Sequence, residues 1–89
     1  MSAYDFLMEK LKAMQIQGIS RQKIFEEWLN NKASVHQTLL RQLQISILKD
    51  DATSIKETKI KIQKLARFGK VIQQGLMESE TKVDNKPNL

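Results

Sequence analysis

The sequence predicts an all-α fold, a small bundle of about four helices with a long, basic, amphipathic last helix. Three observations point there. Apolar residues recur at helical spacing along most of the 89 residues. Serines followed three residues later by Asp, Gln or Glu stand ahead of those stretches as N-terminal capping signals. Gly and Pro are scarce, three and one, and no stretch alternates between bracketing hairpin turns as a strand would.

The first helix is expected from Ala3 to about Gln17. Ser2 with Asp5 opens it, and Ala3, Leu7, Leu11 and Met14 share a stripe widened by Tyr4 and Met8. Gly18 stops it, because glycine enters the left-handed conformation at low cost. Ser20 caps the second helix, with Ile19 and Ile24 placed to clamp its entry as a hydrophobic staple. Ile24, Phe25, Trp28 and Leu29 give that helix an apolar face, and Asn30-Asn31 is expected to end it.

Ser34 with Gln37 predicts the start of a third helix, in which Val35, Leu39, Leu40, Leu43 and Ile47 keep helical spacing to about Lys49. Asp50-Asp51 breaks the pattern. Ser54 with Glu57 predicts the start of the last helix, whose core stripe is Ile55, Ile62, Leu65, Ile72 and Leu76. The run Lys59-Ile60-Lys61-Ile62 alternates, but its neighbours keep the helical period and it is read as helix. Gly69 interrupts this helix at a cost of about 1 kcal/mol against Ala, which predicts either a close approach there or a bend. Gly75 reads as a late stop. The stretch 79–89 is almost free of apolar residues and is read as a disordered polar tail, so the organisation is one helical domain over 1–78 and a tail over 79–89. Trp28, Leu39, Leu43, Leu65 and Ile72 are the expected buried core.

Composition narrows the function. With no Cys there is no disulfide and no thiolate metal site, and a single His removes a histidine cluster. No apolar run reaches the 18 or so residues of a membrane span, and the N-terminus lacks a basic region of the kind that opens a secretion signal. The expected location is the cytoplasm of a cell or of an infected host cell. Phosphate-loop, dinucleotide and zinc-protease motifs are absent, and the three glycines are isolated. His36 has no sequence neighbour that would orient it as a base. Glu26 and Glu27 are adjacent and so point about 100° apart on a helix. The expectation is a protein that is not an enzyme, with no cofactor and no metal, acting by binding.

The net charge of +5 favours an anionic partner. Lys56, Lys59, Lys61, Lys64, Arg67 and Lys70 fall within 15 residues against the single acid Glu57. Ile60 and Val71 lie within that basic sector, a mixture that suits a protein interface better than bare phosphate contact. The partner-binding residues are therefore read as Lys56, Lys59, Ile60, Lys64, Arg67, Lys70 and Val71, with a protein as the preferred partner in an inhibitor, adaptor or immunity-type role. The plain alternative for such a charge run is a solvated face. The alternative function is nucleic-acid binding, through residues 56–70 or through the helix pair 20–44. That pair resembles the opening of a helix-turn-helix, with His36, Gln37 and Arg41 as base-reading residues, although its turn lacks Gly and its first helix carries Phe25. The width of the apolar stripes also admits a homodimer.

Overall fold

The computed structural model describes residues 2–84, with side chains through Leu76. Every element is helical: α1 spans Ala3–Ile16, α2 spans Arg21–Leu48 and α3 spans Ala52–Asp84. There are three helices among the described residues, not about four, and no strand.

The N-terminal signals hold for α1 and α2. Ser2 accepts from the Asp5 N–H at 3.1 Å, and Ser20 accepts from the Lys23 N–H at 3.3 Å. The expected box at Ser2 is not reciprocal. The Ser2 hydroxyl donates to the Asp5 carboxylate at 2.9 Å, so the short acid engages the capping side chain and leaves the capping N–H alone. Gly18 ends α1 at φ +76°, and two bonds close the turn: Gly18 N–H to Gln15 O at 3.1 Å and Ile19 N–H to Met14 O at 3.0 Å.

The expected break at Asn30-Asn31 does not occur, and α2 runs unbroken through it. Asn31 donates from its amide to the Glu27 carbonyl at 2.7 Å and to the Glu27 carboxylate at 2.9 Å. Its polar group is thus satisfied one turn back, without ending the helix. Ser34 does not cap; its carbonyl accepts from the Thr38 hydroxyl at 3.1 Å inside the helix. Neither Gly nor Pro lies between Gly18 and Gly69. Propensity costs of a few tenths of a kcal/mol at Asn are smaller than the cost of leaving two new helix ends without partners.

The α2–α3 connection is two residues tighter than expected. Asp50 takes the left-handed conformation at φ 54°, and the Asp51 N–H reaches Ser46 O at 2.9 Å while the Asp50 N–H reaches Ile47 O at 3.0 Å. Asp51, not Ser54, then caps α3: its carboxylate accepts from the Ser54 N–H at 3.2 Å and from the Ser54 hydroxyl at 2.8 Å. These bonds hold the Asp51 carboxyl below its usual pKa. At the other end α3 passes Gly75 without stopping. The expected tail at 79–89 overlaps the end of this helix as far as Asp84, lies beyond the described side chains, and for 85–89 lies outside the described residues.

The long helices α2 and α3 form an antiparallel hairpin, and α1 packs back along the first half of α2. Lys10 pairs with Glu27 at 2.9 Å across that contact. The core comprises Tyr4, Leu7, Leu11, Ile24, Trp28, Val35, Leu39, Leu65 and Ile72. Leu43, expected in the core, is half-buried, because it falls at the edge of the α2 face that packs on α3. Trp28 ties the long helices together. Its indole N–H donates to the Leu65 carbonyl at 3.0 Å, and its ring occupies the space that a Cβ at Gly69 would need. The close approach anticipated at Gly69 is made by this ring.

Candidate interaction surface

The outer face of α3 is set by its inward stripe. Thr58, Leu65 and Ile72 are buried against α2, which turns the residues half a turn away outward. At about 100° per residue, Ile60, Lys64, Arg67 and Val71 fall in one sector of about 60°, with Lys56 and Lys70 beside it and Lys59 furthest round. All seven are exposed, Ile60 at 39% and Val71 at 57%. Ile60, Gln63, Lys64 and Arg67 line a shallow hollow of about 390 Å³. Among the described residues the one ion pair is Lys10–Glu27, so none of these cations is paired with another described side chain. Lys61 stands apart: it is half-buried with its ammonium 5.7 Å from the Tyr4 ring centroid.

The alternative set does not form a reading head. A helix-turn-helix needs a turn between its helices, and residues 21–48 are one continuous helix. On that helix Gln37 and Arg41 point roughly 100° and 140° away from His36. His36 instead lines a different hollow, of about 370 Å³, with Trp28, Lys32, Ala33, Ile62, Leu65 and Ala66. Lys32 lies over the Trp28 ring at 4.8 Å there.

That second hollow belongs to the face of the hairpin opposite α1, a feature not anticipated from the sequence. Leu29, Ala33, His36, Leu40, Leu43 and Ile47 follow one another at intervals of four and three residues along α2. The spacing is of the kind found at helix–helix contacts, but here the stripe is largely exposed. A helix end at Asn30-Asn31, as the sequence predicts, divides this stripe between two helices, and only the continuous α2 joins it.

Among the described residues no group of His, Cys, Asp and Glu is placed to hold a metal, and no helix is long and apolar enough to cross a membrane. No protein-family model, curated protein or solved structure matches the chain.

Proposed function

We propose that this chain is a small non-enzymatic regulatory or accessory protein that binds another protein through the basic outer face of α3. An inhibitor, adaptor or immunity-type role in the cytoplasm fits its size. The observation that carries the reading is the exposure of Ile60 and Val71 in line with Lys64 and Arg67. Protein interfaces take their energy from desolvated apolar centres ringed by polar groups, and this stripe has both parts. A surface built only to follow phosphates has no use for two exposed branched aliphatics. Lys56, Lys59 and Lys70 then form a rim that speeds the approach of an acidic partner.

The alternative, nucleic-acid binding, rests on the same cations without the helix pair. Titration with random duplex DNA over a salt series separates the two. If phosphate is the ligand, each of Lys56, Lys64, Arg67 and Lys70 lost reduces the salt slope of log K by about one unit. Ile60→Ser would then leave binding unchanged. The protein reading expects no micromolar duplex binding at about 150 mM salt, because five or six cations on a single helix are few for that affinity.

A further inference from the structure

We propose that the face of the α2–α3 hairpin opposite α1 is a second docking surface, and that its occupant is an acidic amphipathic helix of another protein. This surface is separate from the outer face of α3, and the inference holds whether or not that outer face binds a protein.

The face offers apolar contact along its length. On α2, Leu29 is 45% exposed, Leu40 42% and Ile47 55%, with Ala33, His36 and Leu43 between them. From Leu29 to Ile47 the stripe runs about 27 Å, or about five helical turns. On α3, Ile62 and Ala66 complete it. The small side chains of Ala33 and Ala66 leave a hollow of about 370 Å³ over Trp28. Side chains at this spacing receive those of a facing helix, and the hollow receives one large apolar anchor. An extended segment finds no strand edge here, because both walls are helices whose backbone groups are bonded internally. α1 shows how the hairpin holds a helix. On the other side of α2 it buries Leu7 and Leu11 and adds one flanking ion pair, Lys10 with Glu27.

Charge selects which helix. Lys32 lines the hollow, its ammonium 4.8 Å from the Trp28 ring centroid. Lys59 and Lys70 are exposed and lie within about 20° and 40° of Ala66 around α3. They stand about 16 Å apart along the α3 edge of the face. Among the described side chains, the acids that come near stand beyond the ends of the stripe: Glu26 before Leu29, and Asp50 and Asp51 after Ile47. Asp51 is engaged with Ser54. Glu57 lies about 160° round α3 from Lys59. The α2 edge carries the neutral Asn30, Gln37 and Gln44. The face is thus an apolar stripe with a cationic edge on α3 and no acid between its ends.

A helix with one apolar face, and acids on the flank turned toward α3, answers both features. The same face of a second copy does not. It brings the same three lysines, and no acid within its own stripe to meet them. A basic helix would be repelled along the whole α3 edge.

Trp28 is the one tryptophan and floors the hollow, so its fluorescence reports filling. The probe is a blocked, alanine-based peptide of about 21 residues, with leucine at heptad positions a and d and glutamate at e and g. Its control carries lysine in place of glutamate. Titrated into the full chain, the glutamate peptide should saturate a change in Trp28 fluorescence with Kd near 100 µM. It should bind at least about tenfold more tightly than the lysine peptide. Lys59→Glu with Lys70→Glu should reverse that order. Leu40→Gln with Ile47→Gln should weaken the glutamate peptide at least about tenfold at unchanged helicity. Ala33→Gln, which fills the hollow with a good helix former, should also weaken it if the double variant unfolds. Ile60→Ser with Val71→Ser, on the outer face, should leave it unchanged. The absence of a saturable change up to about 1 mM would overturn the proposal. So would a peptide ranking that the charge reversal leaves in place, or binding lost with Ile60 and Val71 but kept by the stripe variants. A chain that alone sediments at twice 10.3 kDa, and at 10.3 kDa after Leu40→Gln with Ile47→Gln, would give the face to a second copy and overturn it too.

Discussion

Trp28 is the residue on which the joining of the long helices turns. Its indole N–H takes the Leu65 carbonyl, Phe25 stacks on it at 5.6 Å between ring centroids, and Gly69 leaves room for its edge. Two glycines in α3 therefore predict opposite outcomes. In an open helix Gly→Ala stabilises by up to about 1 kcal/mol. At Gly69 the new methyl would fall inside the Trp28 ring, so Gly69→Ala should destabilise by about 1–3 kcal/mol or more and disturb Trp28 fluorescence. At Gly75 the methyl would meet only the far end of the flexible Arg21 side chain, which can swing aside, so Gly75→Ala should be neutral or stabilising. Urea denaturation of the pair checks the contrast. Tyr4 supplies a second test at this scale. Burial, with Asp5 adding to it, pushes its phenol above the ordinary value of 10. A raised folded-state pKa contributes stability that is full below the unfolded value and is lost as pH rises through the folded one. Stability should therefore fall on raising the pH past 10, and Tyr4→Phe should flatten that part of the fall.

The helices differ in how much of each was legible. Caps resting on one side chain could be read: Ser2, Gly18 and Ser20 act where the sequence places them. The inward stripe of α3 could be read as well, because Leu65 and Ile72 keep the helical period. The misread positions are those where a polar side chain has two uses. Asn31 can end a helix or bond back to Glu27 within it, and only the packing of both halves of α2 on α3 decides. Ser54 can cap a helix or sit in its first turn, and Asp51 three residues earlier takes the capping position. Asp50 adopts a conformation that costs most L residues about 1–2 kcal/mol and Asp somewhat less. Asp50→Gly should therefore stabilise by up to about 1 kcal/mol. A thermal melt that drops on this substitution would mean that the left-handed turn between α2 and α3 is wrongly placed.

The whole molecule is a long hairpin of which α1 covers one face over half its length. This accounts for the apolar side chains left on the opposite face, the half-buried Leu43 among them. It also explains why the site was only partly legible: the basic run is local in sequence, whereas a groove between two helices depends on their register. The outer face of α3 carries the functional proposal. Its most direct test is capture from extract of the source cell, with and without nuclease, using the wild-type chain beside Ile60→Ser with Val71→Ser. The proposal predicts a protein that is retained with equal yield after nuclease, lost from the apolar variant and only weakened by Lys56→Ala or Lys70→Ala. Capture that vanishes with nuclease, or that survives loss of Ile60 and Val71 but not of the lysines, would contradict it.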